Sequence, residues 1–372
     1  MTKQNYASPA RQIEVAVLAV GGSPVGPDRT DVSLQEMIFE GTNAVLSEAG
    51  ITRADLDSVV LSASDLVDGR GIASMSSAAA AGAYMKHETR TTNDGIYALA
   101  LAALEIWSGR IRTSLVMSWN KMSEVRWEMA TPAMFEPFYE RPFAMDDTVA
   151  QGLAANALLI ERPHAERAAQ IATARNLQAS QARGARGSDY RPPHADGVFG
   201  MVLTDVATAR ASGRPFAVLD GISWGVGPPL RNREPVGANG LNDIAARAYR
   251  AANLTRLDQI GVIELSARWG YEEVSILDGL VTPLGGDAIS LIDGGETERG
   301  RSIPVNPSGG TGGHYLMQAA GLIAAGEVVR QVTGRAGHRQ VDNVRRGVAH
   351  GQSGPAAQGN VVAVFSTGTG GH

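Results

Sequence analysis

A glycine-rich run in front of an alanine-rich segment constrains the fold of this chain more than any other feature. The run reads Asn306-Pro-Ser-Gly-Gly-Thr-Gly-Gly-His-Tyr315, and we predict a helix from Tyr315 to Val332. A similar arrangement, a glycine-containing turn before an Ala/Leu/Ile helix, lies at residues 92–108, and each copy follows a strand-rich section. The repetition predicts two similar α/β halves, whose right-handed connections would bring both helix N-termini to one interface.

Composition excludes several classes of protein. The 372 residues are enough for two domains or one large duplicated domain, and the net charge of −5 disfavours a nucleic-acid binder. The chain has no cysteine, which excludes disulfides, thiolate catalysis and cysteine-ligated zinc within it. The seven histidines show no metal-ligand spacing. We therefore expect no metal site. No signal segment or membrane span is recognisable, so we expect a cytoplasmic protein.

Hydrophobic periodicity and turn residues predict alternating strands and helices. The helices that this pattern predicts cover residues 33–49, 93–108, 242–252 and 272–280, with further helix between 146 and 180. The predicted strands cover residues 13–20, 57–62, 114–117, 198–204, 216–220, 259–265 and 361–365. Residues 124–141 carry several aromatic side chains in an irregular segment, which suggests a buried cap or a surface that faces a partner.

Six segments, in order along the chain, resemble motifs of the thiolase superfamily, particularly the sterol carrier protein X thiolase branch. They begin at Thr92 (Thr-Asn-Asp-Gly), Ser118 (Ser-Trp-Asn-Lys-Met-Ser), Ala195 (Ala-Asp-Gly-Val), Glu264 (Glu-Leu-Ser-Ala-Arg-Trp), Val305 (Val-Asn-Pro-Ser-Gly-Gly, with Gly313-His314) and Ser366 (Ser-Thr-Gly-Thr-Gly-Gly). The resemblance implies a duplicated five-layer α-β-α-β-α fold. Its halves would span residues 1–210, with a loop or cap insertion at about 124–190, and residues 211–372.

The reactive side chains of that superfamily are mostly replaced. By this resemblance Thr92 stands for the nucleophilic cysteine, Ser266 for a histidine, Tyr315 for a proline and Ser366 for a second cysteine. His314 alone is retained. The resemblance therefore implies acyl-CoA chemistry without a cysteine acyl-enzyme. In this respect the chain is similar to thiolase-fold acyl-CoA aldolases, which have a tyrosine in this glycine loop.

We assign provisional roles within this resemblance. His314 would polarise a thioester carbonyl and Tyr315 would move a proton if neighbours lowered its pKa, while Gly312, Gly313 and Gly370 would hold an oxyanion. His314 and Asn306 could instead only fix the loop, and Tyr315 could simply pack at the helix start. On the first reading His314→Ala should abolish turnover.

The remaining candidates have simple structural alternatives. Thr92 would be a nucleophile only with an adjacent base, and Ser366 could bond a substrate oxygen; both could equally fill space. Asn93 and Ser266 are candidate substrate contacts, although Asn93 or its neighbour Asp94 could cap the helix. Arg183 and Arg186, with Arg191, could bind a CoA phosphate or form a solvated loop.

Two functions follow from these assignments. The first is an enzyme that makes or cleaves a carbon–carbon bond in acyl-CoA, most simply as a retro-aldolase, with coenzyme A thioester as substrate and no bound cofactor. The second is a non-catalytic thiolase-like subunit of a heteromeric acyltransferase or thiolase complex. The resemblance also implies a homodimer and a partner, either a small OB-fold protein or an active thiolase-type chain.

Overall fold

A computed structural model describes residues 13–69, 71, 74–181, 190–228 and 240–368. Within these residues a mixed sheet has the order β3-β2-β4-β5-β1-β6-β9-β8-β7. The strands are β1 Val15–Gly22, β2 Ser58–Ser62, β3 His87–Thr91, β4 Thr113–Lys121, β5 Asp196–Asp205, β6 Ala217–Val226, β7 Val262–Leu265, β8 Arg346–Ser353 and β9 Gly359–Thr367.

Helices precede or follow most of these strands. In chain order they are α1 Leu34–Ala49, α2 Asp65–Asp68, α3 Ser74–Ser77, α4 Gly95–Trp107, α5 Trp127–Ala133, α6 Asp147–Glu161, α7 Ala165–Ala179, α8 Val206–Ala211, α9 Leu241–Ala251, α10 Gly270–Val281, α11 Ala288–Asp293 and α12 Ala320–Val332. The predicted helix that was to begin at Tyr315 therefore begins five residues later, and residues 314–319 form an irregular segment.

The first five strands lie side by side, and so do the last four. The two groups are joined by a short antiparallel pairing of β1 with β6, in which Ala16 faces Val218 and Val17 faces Ala217. In the first group β2 runs parallel to both β3 and β4, and in the second β7 runs parallel to β8. Division of the chain at residues 210 and 211 stays a prediction.

Three hydrophobic clusters define the layers. In the central cluster, Ile96 and Leu99 of α4 and Leu322 and Val328 of α12 are buried together with side chains from both strand groups. A second cluster packs α1 on the outer face of the first group, and a third packs α9 and α10 on the outer face of the second. The expected α/β class is confirmed, since helices pack on the strands of a mixed sheet.

Strand side chains alternate between these clusters, as two-residue periodicity requires. On β9, Val361, Ala363 and Phe365 belong to the central cluster, whereas Val362 and Val364 belong to the outer one. Strands covered on both faces are apolar at successive positions, which is why they read as continuous apolar runs in the sequence.

Candidate functional site

A cavity of about 280 Å³ lies where several helices begin. Residues that immediately precede or open α4, α6 and α10 line it, together with the end of β8. Polar side chains around the cavity include Thr92, Asn93, Asp94, Asp147, Glu272, Tyr315 and Gln352. Because the N-terminus of a helix carries partial positive charge, this arrangement favours negative charge that develops inside the cavity.

Tyr315 is held by backbone pairing with the segment before β5. Its N–H donates to the carbonyl oxygen of Pro193 (2.9 Å), and its own carbonyl accepts from the N–H of Ala195 (3.2 Å). Burial raises the pKa of the phenol above its ordinary value, although the positive charge of Arg268 opposes this. The condition that neighbours lower this pKa is therefore not met, because the desolvation of the ring outweighs its cationic neighbour. At neutral pH Tyr315 is a proton donor.

Arg268 connects the groups around that tyrosine. Its guanidinium lies 5.0 Å from the centre of the Tyr315 ring, donates to Oδ2 of Asp147 (2.9 Å) and contacts Nε2 of His194 (3.1 Å). Burial and the Arg268 charge lower the pKa of His194 to about 3, so its imidazole is neutral. Since arginine only donates, Nε2 must accept and the ring proton sits on Nδ1. Within the described residues, that buried Nδ1 has no hydrogen-bond partner.

Glu272, in the first turn of α10, has a side-chain pKa close to neutral pH. It accepts from the backbone N–H of Arg268 (2.6 Å) and from the side-chain amide of Gln352 (2.8 Å). Burial raises its pKa to about 7 in spite of these donors. Burial also raises the pKa of Asp147, against the nearby charge of Arg268. Cavity carboxyl groups with raised pKa values are suited to accept and return protons.

The segment before α4 reaches the cavity. Thr92 and Asn93 line it, and the side-chain amide of Gln318 fixes their carbonyl oxygens at 2.8 and 2.5 Å. Asp94, rather than Asn93, caps α4 by accepting from the N–H of Ile96 (2.8 Å), and it also accepts from the N–H of Gly321 (2.9 Å) near the start of α12. One buried carboxylate thus joins the two central helices, and burial raises its pKa to about 7.

The glycine loop lies outside the lining of this cavity. A Cβ on Gly309 would come within 2.5 Å of the Ser180 nitrogen, so the loop packs closely on the end of α7. Gly312 donates to the carbonyl of Gly309 (2.9 Å), and Gly313 lies near Ser180. His314 is exposed. The glycines thus permit a backbone contact within the protein, whereas we expected a contact with substrate.

Asn306 has a structural role in the same loop. It is fully buried, with φ of 48°, and its side-chain oxygen accepts from the N–H of Leu265 (2.8 Å). Its side-chain nitrogen donates to Glu273 (3.1 Å), which is paired with the buried Arg175. This network joins the start of the loop to α7 and α10.

Neither predicted serine lines the cavity. Ser266 follows β7, is buried, and its hydroxyl has no partner among the described residues. Ser366 donates to Asp220 (2.9 Å) and pairs with Arg346 at the start of β8. The cavity adjoins Ser353 at the other end of β8, about 23 Å away along the strand at 3.3 Å per residue.

The arginine and tail predictions fall mostly outside the described residues. Arg183, Arg186 and Gly370 are among the residues that the structure does not describe. Arg191 is described, and its guanidinium stacks on the Trp269 ring at 4.5 Å.

Sequence reasoning missed several residues that the fold brings to the cavity or its wall. Among them are Asp147, Glu272, Gln352, Trp127 and the supporting pair Arg268 and His194. A signal was present for two of them, because Asp147 and Glu272 stand at the starts of predicted helices. Nothing in the sequence indicated that these helix starts would meet.

Comparison with known proteins places the fold among thiolases. Residues 230–367 match the family model described as "Thiolase C-terminal domain-like". The chain is 26% identical to an acetyl-CoA acetyltransferase of Methanothermobacter thermautotrophicus, over 95% of this chain and 99% of that protein. It is also 34% identical to sterol carrier protein 2 of Gallus gallus over 31% of this chain and 21% of that protein.

A solved structure with the same fold is the "Ltp2-ChsH2(DUF35) aldolase". It aligns with a TM-score of 0.79 at 17% sequence identity, covering 96% of this chain and 98% of that chain. Among the described residues, no helix is long and apolar enough to cross a membrane. Nor do the described residues contain three or more histidine, aspartate or glutamate side chains placed so that together they could hold a metal ion.

Proposed function

We propose that this chain, which is similar in sequence to an acetyl-CoA acetyltransferase and in fold to a solved aldolase, makes or cleaves a carbon–carbon bond in acyl-CoA thioesters by proton transfer alone. Retro-aldol cleavage of a β-hydroxyacyl-CoA is the favoured reaction. One observation carries this proposal: a cavity that contains a protonated phenol, Tyr315, and a carboxyl group with a pKa of about 7, Glu272, in a chain without cysteine.

The retro-aldol step balances without a bond to the protein. The Glu272 carboxylate removes the proton of the β-hydroxyl, whose oxygen then forms the carbonyl of the leaving aldehyde or ketone. The bond between the α and β carbons breaks, and its electron pair forms the thioester enolate. Tyr315 donates its proton to the α carbon, and the proton held by Glu272 restores the phenol, directly or through water.

The remaining cavity residues support these two groups. The starts of α4, α6 and α10 stabilise negative charge on the enolate oxygen. Arg268 and His194 hold the Tyr315 ring from one side, and the backbone bonds to Pro193 and Ala195 fix its position. Thr92 and Asn93 are proposed substrate contacts, and Arg183 and Arg186 stay proposed phosphate contacts.

Product analysis tests the proposal directly. Purified protein is incubated with a 3-hydroxyacyl-CoA, or with a 3-ketoacyl-CoA plus free CoA, and products are identified by mass spectrometry. We expect a shortened acyl-CoA and a carbonyl compound from the hydroxyacyl substrate, with loss of both in Tyr315→Phe. Thiolysis of the ketoacyl substrate, or no product even with proteins encoded beside this chain, would contradict the proposal.

A specific surface favours the second candidate, a thiolase-like subunit that needs a partner. Met129, Phe138 and Phe143, in and after α5, are 67%, 78% and 78% exposed. Exposed apolar side chains close in sequence are typical of a surface that faces another protein. The name of the solved aldolase includes a DUF35 component. For this chain we propose a small OB-fold partner, besides a homodimer. Full turnover by the isolated chain would exclude the subunit role.

A further inference from the structure

A smaller, mainly apolar cavity adjoins the one that contains Tyr315. We call it the side pocket and the larger one the main cavity. The side pocket has a volume of about 80 Å³, and its apolar lining includes Ala154, Leu158 and Ile276. The two cavities share four lining residues: Gln151, Glu272, Gln352 and Ala357. Two glutamine amides and a carboxyl group therefore separate a polar space from an apolar one.

The orientation of both amides is fixed by carboxyl groups. The nitrogen of Gln151 donates to both Asp147 oxygens (3.2 and 3.1 Å), and that of Gln352 donates to Glu272 (2.8 Å). Rotating either amide by 180° would place its oxygen against a carboxylate oxygen, and neither of those atoms carries a hydrogen when the carboxylate is ionised. When these carboxyl groups are ionised, the amide oxygens therefore point away from them.

Both of those amide oxygens are buried and lack a hydrogen-bond partner among the described residues. Buried acceptors are rarely left unpaired, so a bound molecule that supplies hydrogen is the natural partner at this position. A hydroxyl group supplies one. A ketone oxygen supplies none and would meet the amide oxygens with like partial charge.

We infer that Gln151 and Gln352 are specificity-determining residues that bind the hydroxyl of the acyl substituent, while the hydrocarbon beyond it enters the side pocket. This assignment deepens the proposed function and rests on it. The hydroxyl is then held beside the two carboxyl groups that the same amides contact, and its single hydrogen passes from an amide oxygen to Glu272 when the carbon–carbon bond breaks. Substrates with the hydroxyl are selected over ketones before any bond is broken.

Unreactive ligands separate this inference from the proposed reaction. In a CoA thioether a methylene replaces the thioester carbonyl, so no enolate can form. Three ligands are compared by calorimetry: S-(3-hydroxyhexyl)-CoA, S-(3-fluorohexyl)-CoA and S-hexyl-CoA. Fluorine is close to a hydroxyl in size but donates no hydrogen bond. We expect the hydroxyl ligand to bind about tenfold more tightly than the other two, as one net hydrogen bond from its single hydrogen predicts.

Substitution by methionine, which keeps length but removes the amide, identifies the residues. In Gln151→Met and Gln352→Met the tenfold preference should shrink towards one, while the affinity for S-hexyl-CoA is kept and reports an intact fold. Gln170→Met is the matched control, because Gln170 also donates to a carboxylate four residues earlier, Glu166 (3.4 Å), but is exposed on α7. The Gln170→Met variant should keep the tenfold preference for S-(3-hydroxyhexyl)-CoA over the other two ligands.

The outcomes distinguish the two claims. Equal binding of all three ligands by the unsubstituted protein, with retro-aldol turnover present, would overturn the inference and leave the proposed function standing. An unchanged preference in both methionine variants would overturn the assignment to these residues. Failure to bind any of the ligands, with or without proteins encoded beside this chain, would overturn both claims.

Discussion

The pH dependence of turnover should follow the ionisation of Glu272. As the general base, Glu272 works only when ionised, and burial raises its pKa to about 7 from the usual range near 4.5. The rate must therefore fall as pH drops through 7. With a pKa of about 7, roughly one eleventh of the groups is ionised at pH 6 and ten elevenths at pH 8, so kcat/KM should rise about tenfold between them.

Replacement by glutamine removes the base with little change in shape. Glu272→Gln should lower kcat by about 10²- to 10⁴-fold, the usual contribution of a general base, and remove the acidic limb of the profile. The matched control is Glu166→Gln, since Glu166 also lies in the first turn of a helix, α7, but is exposed. Initial rates between pH 5.5 and pH 9 are measured for all three proteins, with the pH values chosen to bracket the expected pKa of about 7. An unchanged kcat at pH 8 in Glu272→Gln would refute the assignment.

Three further predictions concern the phenol, the loop histidine and the helix glycines. Tyr315→Phe should reduce kcat by about 10²-fold or more with a small change in KM, because only the proton donor is lost; a normal kcat would contradict its role. His314→Ala should change steady-state rates less than about twofold, because His314 is exposed and outside the cavity lining; abolished turnover would restore the role first expected of it. Gly270→Ala should lower the free energy of unfolding by about 1–3 kcal/mol in urea titrations, since its Cβ would lie 2.2 Å from the Ala169 oxygen. Gly152→Ala on α6, with nothing within 4 Å of the added Cβ, should instead raise it by about 0.5–1 kcal/mol; equal effects of the two substitutions would contradict the steric argument.

Local signals predicted most of the fold. Ser33 and Glu36 form a capping box at the start of α1, and Gly50 ends that helix with φ of 68°. Such caps depend on neighbours in the chain and can be read from sequence. The strands that were missed lack this kind of signal: β3, His-Glu-Thr-Arg-Thr, is a polar edge strand, and β8 has an apolar run of only a few residues.

The site was less predictable, because it depends on contacts between distant segments. Three residues singled out in the sequence, Thr92, Asn93 and Tyr315, line the cavity, and their roles stay predictions. The position of the glycine loop against Ser180 was not predictable, since a glycine beside a substrate and a glycine beside Ser180 look the same in sequence. Asp147 and Glu272 were missed because only the packed fold places the starts of α6 and α10 beside Tyr315.

The central claim is that carbon–carbon bond cleavage here proceeds by proton transfer without an acyl-enzyme. One experiment in D₂O tests it most directly. The protein is mixed with a 3-hydroxyacyl-CoA, and the masses of the acyl-CoA product and of the intact protein are measured by mass spectrometry. The account predicts one deuterium on the α carbon of the product and an unmodified protein mass at every time point. A protein that gains the mass of an acyl group during turnover would contradict it.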